Sequence, residues 1–377
     1  MYNYKKTNVL FVIHQLGVGG SERVVLNLTE KIDPAKFEVF VAAFGGGTLE
    51  DDFRKSCKGV FLIDKKPGFD YSAMIQLSKI IKNNNIDVIN AHHYMPLFYS
   101  FPASKIIKRR QLVFTEHSVP EVDSIKNSIH GKIFNIICYQ IDTIVSVSNE
   151  IANRFQNHYP RHQKKVATIL NGIDIAKFNS KVKKSEIREQ WGLTSDHFVI
   201  GIVANFRHVK NHACLVRAVS RIKDDYSNVC LFFVGVGVSN PLENSENEIR
   251  DLVAEKGLRQ HVVFAGYQDD ISAILPVFDV FCLPSFSEGL PVSVLEAMAA
   301  RVPVIGSKAR GITEVIKHRH TGLLFDIDND EELAGLLIEV IQNREILKTM
   351  SDNGYKYVVE NHDKATWIKQ WSNIFSK

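Results

Sequence analysis

The stretch Pro284–Ile305, PSFSEGLPVSVLEAMAARVPVI, decides how the rest of the chain is read, because a strand end, a glycine loop, a helix start and two carboxylates meet in it. The apolar run Val280–Leu283 before it predicts a buried parallel strand, and Ser285, Glu288 and Gly289 form the loop that follows. Pro291 predicts the first turn of a helix, since a proline there lacks only an N–H that would have had no partner. The N–H groups of Val292, Ser293 and Val294 are then available to a ligand, and such an end suits an anion. Glu288 in the loop and Glu296 on the helix, with seven residues between them, place two acceptors around one crevice. They suit sugar hydroxyls and not phosphate itself. The same local pattern occurs in many α/β proteins, where Glu296 would merely face solvent.

Outward from this stretch the chain alternates strand and helix, twice over. VLFVIH, FEVFVAAF, VFLI, DVINAHH, LVFTEH and TIVSVS read as strands of a first parallel sheet. The alternation stops at LNGIDIAKF, Leu170–Phe178, and the charged stretch KVKKSEIREQ follows. It restarts with HFVIGIVA, CLFFVG, VVFAG, VFCLP, VPVIG and GLLF. The expected organisation is α/β: a doubly wound domain over 1–175 and a second over 176–359, with a helix from about 360 to 377 returning to the first. Trp367 and Trp371, four apart, suit that return. Doubly wound domains bind ligands at strand C-termini, so a cleft faced by both sheets is the expected site.

With 377 residues, 45% apolar and 23% charged, the chain has the composition of a globular protein with two cores. IFNIICYQIDTIVSV is interrupted by Gln140 and Asp142 and is too short to span a bilayer. MYNYKKTNVLFVIHQL lacks a small-residue cleavage site and reads as strand one. Five scattered cysteines with no C-x-x-C pair predict a reducing, cytosolic setting. Residues 1–180 carry 23 Lys and Arg against 16 Asp and Glu, and the remainder 23 against 26. A basic first half suits an anionic membrane surface or a phosphate-bearing acceptor, and also a solvated surface with no partner. The cluster Lys105, Lys108, Arg109, Arg110 is its densest point. No nucleic-acid partner is expected.

Three further groups carry chemistry. After strand one stand Gly17, Val18, Gly19, Gly20, Ser21 and Glu22; a dinucleotide fingerprint requires glycine in place of Glu22, so NAD is disfavoured. Arg207 and Lys210, on a loop between a strand and a helix, are spaced to meet both phosphates of a nucleoside diphosphate, although exposed loop cations are often only solvated. His117 ends the strand LVFTEH at the sheet edge where ligands gather; His14 ends strand one. Metal binding is not expected. In DIDND, 326–330, the glycine and final carboxylate of a calcium loop are replaced by Glu331 and Leu337, and neither His92–His93 nor His158–His162 has zinc spacing. DIDND reads instead as a polar helix start.

Taken together, SEGLP followed by LEAMA resembles the E-x7-E signature of retaining nucleotide-sugar glycosyltransferases of GT-B architecture, specifically glycosyltransferase family 4. Arg207-His208-Val209-Lys210-Asn211 resembles that family's R-x-x-K-N element, and Gly19-Gly20-Ser21-Glu22 its GG-x-E element. The resemblance implies two Rossmann-like domains facing a central cleft. It implies that Gly19, Gly20, Arg207, Lys210, Glu288, Gly289, Leu290, Pro291, Val292 and Glu296 hold the donor, Glu296 on the ribose and Glu288 with Gly289 on the sugar. Glu288, His117, Arg207 and Lys210 are the implied catalytic set, His117 approaching the donor sugar. No metal or other cofactor is implied, because cations and a helix N-terminus neutralise the leaving diphosphate. The implied reaction moves a hexose or N-acetylhexosamine from a UDP-sugar, or next a GDP-sugar, to an acceptor hydroxyl by same-face attack. The implied acceptor is a lipid-linked glycan of the bacterial envelope, met at the cytosolic face of a membrane. A UDP-sugar epimerase of the same fold and a non-catalytic sugar-nucleotide binder are the alternatives. Two features depart from the family. Val236 and Val238 replace an acidic residue and a proline in the loop Gly235–Val238, and Arg310 in KARGITEVI replaces the first of two glycines, Gly311 keeping the second. Arg310 then either reaches an anionic part of a substrate or is solvated.

Overall fold

The computed structural model describes residues 5–17, 19–105, 110–118, 122, 128–178, 184–238 and 240–376. Two units divide it: one spans Met1–Gly172 and Ala365–Lys377, the other Ile173–Lys364. The crossing points therefore fall at 172 and 364, where the sequence had suggested 175 and 360.

In the first unit, β1 (Thr7–Ile13), β2 (Phe37–Ala43), β3 (Gly59–Leu62), β4 (Val88–His92), β5 (Gln111–Glu116), β6 (Thr143–Ser146) and β7 (Val166–Thr168) form one sheet in the order β3-β2-β1-β4-β5-β6-β7. Every pairing is parallel. β1 is buried from Val9 to Ile13 without alternation, as expected where helices cover both faces. In the second unit, β8 (Phe198–Val203), β9 (Val229–Val234), β10 (Val262–Gly266), β11 (Val280–Leu283), β12 (Val304–Ser307) and β13 (Leu323–Phe325) follow the order β10-β9-β8-β11-β12-β13, again parallel. The strand order reverses between β1 and β4 in one sheet and between β8 and β11 in the other. Such switch points leave a crevice at the strand C-termini because the connecting helices depart to opposite faces.

The tail is two helices, Arg344–Asn361 and Lys364–Phe375, with a break between them. At the break, Ile173 N–H donates to the His362 carbonyl at 2.8 Å. The last helix belongs to the first unit. Trp367 and Trp371 are buried, Phe375 meets Phe11 edge-on at 5.8 Å, and Gln111 Nε2 donates to the Ile374 carbonyl at 2.9 Å. Gly172 permits this packing, since a Cβ there would lie 2.6 Å from Trp367 Cβ. Gly172→Ala is expected to lower stability by about 1–3 kcal/mol through overpacking. Chemical denaturation with an unchanged midpoint would remove this glycine from the seat of the helix.

Candidate functional site

The switch point of the second unit gathers the residues singled out in the sequence. The chain leaves β8 through Arg207, makes one 3-10 turn over His208–Lys210, and enters the helix His212–Ile222. Asn211 takes the left-handed conformation (φ 50°) and caps that helix, its side chain accepting from Cys214 N–H at 3.3 Å. Lys210 is thereby held in the turn between strand and cap, and its Nζ donates to both carboxylate oxygens of Glu288, at 2.7 and 2.9 Å. Ser285 Oγ adds a third donor to the same carboxylate at 2.6 Å. Ser307, at the end of β12, ties the loop down by donating to the Ser285 carbonyl at 2.5 Å, and the Glu288 N–H donates to the Arg310 carbonyl at 3.0 Å. The C-terminal ends of β8, β11 and β12 thus converge on one carboxylate.

The helix after this loop runs Val292–Ala299, with Pro291 as its N-cap. Pro291 therefore stands one position before the first helical residue, not inside the first turn as the sequence predicts. Val294 N–H is already engaged, donating to the Pro291 carbonyl at 3.0 Å. Of the three N–H groups expected to face a ligand, Val292 and Ser293 keep the orphan positions of the first turn. Val294, Leu295, Ala297, Met298 and Ala299 are buried, whereas Val292, Ser293 and Glu296 are half-buried on the other side. The spacing of 292, 293 and 296 puts the Glu296 carboxylate on the same face as the helix start.

Arg207 is paired differently. Its guanidinium reaches Glu243, and its backbone bridges Asn244. The two cations therefore rest on separate carboxylates. The loop Gly235–Val238 supports this arrangement from β9: the Phe206 N–H donates to the Val236 carbonyl at 3.0 Å, and Gly237 N–H donates to Glu246 Oε2 at 2.7 Å. With its N–H already satisfied by Glu246, Gly237 acts as a backing strand to the Arg207 loop. The run 326–330 is a helix entry: Asn329 caps Asp330–Gln342, and Asp328 and Asp330 are paired to Arg217 and Arg221. Among the described residues no group of three His, Cys, Asp or Glu side chains is arranged to hold a metal.

At the C-terminal edge of the first sheet, β4 and β5 bring three imidazoles together. His117 Nε2 and His92 Nδ1 share a hydrogen bond of 2.8 Å, and the His93 ring centroid is 5.1 Å from that of His117. Burial, helped by the neighbouring His93, pushes His92 down to about 3, and burial with both neighbours pushes His117 well below the usual histidine range. Both rings are neutral at ordinary pH. Glu116 is fully buried and orients the turn, accepting from the His117 and Ser118 N–H groups at 2.8 Å each. His92 and His117 are 25 residues apart, and nothing local in the sequence announces their contact.

Gly19 caps the helix Gly20–Lys31, and Glu22 folds back over it, so that a Cβ on Gly19 would lie 2.2 Å from Glu22 Oε2. The N-terminus of that helix already holds a buried carboxylate, with Ser21 Oγ donating to it at 2.9 Å. A carboxylate at such an end is favoured by the helix dipole and disfavours a phosphate directly above it. Open space remains over Gly20.

Two doubly wound parallel sheets in tandem, with strand-end loops carrying a lysine–glutamate pair, define the GT-B class of architecture. Two family models meet in this chain, Glycosyltransferase Family 4 over 18–177 and Glycosyl transferases group 1 over 183–357, and the chain belongs to these glycosyltransferases. It is 24% identical to the UDP-Gal:alpha-D-GlcNAc-diphosphoundecaprenol alpha-1,3-galactosyltransferase of Escherichia coli, over 95% of this chain and 94% of that one. It is also 24% identical to the N-acetyl-alpha-D-glucosaminyl L-malate synthase of Bacillus anthracis, over 82% of this chain and 79% of that one. The crystal structure of Anabaena HepE in complex with UDP-glucose has the same fold, with a TM-score of 0.86 at 21% identity, covering 98% and 99% of the two chains.

Proposed function

We propose that this glycosyltransferase moves a hexose or N-acetylhexosamine, with retention of anomeric configuration, from a UDP-sugar to a hydroxyl of a lipid-linked glycan in bacterial polysaccharide or envelope synthesis. The observation that carries the reading is the bidentate Lys210–Glu288 contact at the switch point between β8 and β11. Glu288 occupies the lysine. A diphosphate entering beside the helix start competes for that cation, which frees Glu288 to accept from sugar hydroxyls. Arg207, exposed on its loop, moves from Glu243 to the second phosphate, and the Val292 and Ser293 N–H groups meet the same anion. Glu296, on the face of the helix start, takes the ribose hydroxyls; Gly289, Leu290 and Pro291 shape the loop around the sugar. Gly20 leaves room for backbone approach, while Glu22 keeps phosphate off Gly19 and directs that loop toward hydroxyl groups. A neutral His117, its Nε2 engaged by His92, offers Nδ1 to the reacting sugar. The acceptor proton passes to the departing phosphate oxygen, so the mechanism asks no covalent nucleophile of the protein.

The activity of the Escherichia coli relative and the UDP-glucose held by the Anabaena protein support a UDP-sugar and, from the first, a lipid diphosphate acceptor. An epimerase or a simple sugar-nucleotide binder would share the fold. Incubation with UDP-glucose, UDP-galactose, UDP-N-acetylglucosamine and GDP-mannose in excess EDTA separates these readings. Release of UDP at full rate is expected with at least one donor, because Lys210, Arg207 and the helix start neutralise the leaving group without a metal. Conversion of donor to its epimer, or binding without release, would replace the transferase mechanism. Activity restored only by a divalent ion would overturn the metal-free part.

A further inference from the structure

The helix Ile129–Cys138 in the first unit is apolar on two opposite sides. Phe134, Ile137 and Cys138 enter the core. Ile129, Ile133 and Ile136, spaced four and three and so aligned along the other side, are 65%, 45% and 66% exposed, and Tyr139 just beyond the helix is 54% exposed. A surface helix ordinarily carries polar residues on that side, and a row of large apolar side chains in water marks a contact surface. The charges on the helix and on the turn packed against it are positive, and exposed Asp142 stands just past the helix end. The segments 128–141 and 151–173 contain no Asp or Glu. Lys132 is exposed on the helix itself, and Lys105 reaches its C-terminal end, donating to Gln140 at 2.8 Å. The turn Pro160–Lys165 packs alongside, through His162 against the Tyr139 ring at 4.6 Å and onto Asn135 Oδ1 at 2.9 Å. That contact brings exposed Arg161 and Lys164 to the rim, while Lys165 caps the helix by donating to the carbonyls of Cys138, Tyr139 and Ile141.

We propose that this face docks the protein on an anionic membrane surface, with Ile129, Ile133, Ile136 and Tyr139 in the headgroup–acyl boundary and Lys105, Lys132, Arg161 and Lys164 against lipid phosphates. Apolar residues in one line with cations on both flanks are the arrangement of a helix lying in the plane of an interface. Charge decides against the other occupant, a second copy of this chain. A two-fold contact would place the same cationic rim against itself, whereas an anionic surface neutralises it. Of the basic cluster named from sequence, Lys105 belongs to this surface. Arg110 is tied to Asp87 at 3.3 Å and is largely buried, and Lys108 and Arg109 lie outside the described residues. No helix among the described residues is long and apolar enough to cross a membrane, so docking in the interface plane is the form of attachment this surface offers.

Sedimentation of the full chain with vesicles tests it. Vesicles of phosphatidylcholine and phosphatidylglycerol in equal parts should carry the protein down at low salt and release most of it at about 0.5 M salt, where the screening length falls below about 5 Å. Pure phosphatidylcholine vesicles should bind it weakly. A triple variant, Ile129→Gln, Ile133→Gln and Ile136→Gln, should keep its melting temperature and UDP release and lose at least about tenfold in vesicle affinity. The pair Lys132→Gln and Lys164→Gln should lose about tenfold on anionic vesicles only. Wild-type protein left in the supernatant with anionic vesicles at low salt overturns the proposal. So does a wild-type dimer in analytical ultracentrifugation that the triple variant converts to monomer without either form binding vesicles. The surface does not depend on the donor reading: vesicle binding with no UDP release from any donor would support docking and count against the transfer chemistry alone.

Discussion

Lys210→Ala is expected to lower turnover at saturating donor by about 10²- to 10³-fold, the loss that follows when a preorganised group facing the developing charge is removed. Arg207→Ala is expected to fall in the same range for the same reason, yet the two variants should differ in stability. Arg207 is half-exposed and its contact with Glu243 is a surface ion pair, worth little to folding. Its loss should leave the melting temperature within about a degree or two. Lys210 is mostly buried against Glu288, whose carboxylate then keeps only the Ser285 hydroxyl. Leaving that charge without its cation should cost about 1–2 kcal/mol, since part of the desolvation penalty is relieved by water entering the site. Steady-state rates with thermal melts check both. Near-normal turnover in both variants would remove these residues from the leaving diphosphate, and equal destabilisation would remove the difference in their surroundings.

Much of this was legible because its signals are local. Six strands of the second sheet and six of the first were marked by short β-branched runs. β7 was not, since Val166–Thr168 is three residues at the sheet edge and half-buried, with no apolar run to announce it. The loop around Glu288, the turn around Lys210 and the capping asparagine were visible as residues. What they do to one another was not: Lys210 and Glu288 are 78 positions apart, and only the reversal of strand order between β8 and β11 sets them side by side. The same limit hid the His92–His117 pair. The exposed isoleucines were hidden for a different reason. An apolar helix with a tyrosine and a cysteine reads as core until the packing shows which of its two apolar faces is covered. Pro291 shows the remaining uncertainty of one position at a helix start, where proline serves equally as the cap and as the first helical residue.

Gly311→Ala is expected to lower turnover by about 10²-fold while removing no functional group from the site. Gly311 precedes the short helix Ile312–Val315 with φ 75° and ψ −42°, a conformation that L side chains avoid. A Cβ there would lie 2.6 Å from the Glu288 carbonyl and 2.7 Å from that of Gly289, both backbone atoms with no rotamer to yield. The main chain of the Glu288 loop must therefore shift, and it cannot shift alone. The Glu288 N–H is bonded to the Arg310 carbonyl, and its carboxylate to Ser285 and Lys210, so a displacement is passed to the cation that meets the diphosphate. Backbone strain adds roughly 1–3 kcal/mol of destabilisation. Gly335→Ala is the internal control. It lies within the helix Asp330–Gln342 with open space where its Cβ would stand, and the substitution should stabilise by up to about 1 kcal/mol through helix propensity with unchanged turnover. Wild-type kinetics for Gly311→Ala, with the melting temperature lowered or not, would show that the close approach of these two loops is not what positions Glu288. A loss confined to KM would place the effect on donor binding and leave the geometry of transfer intact.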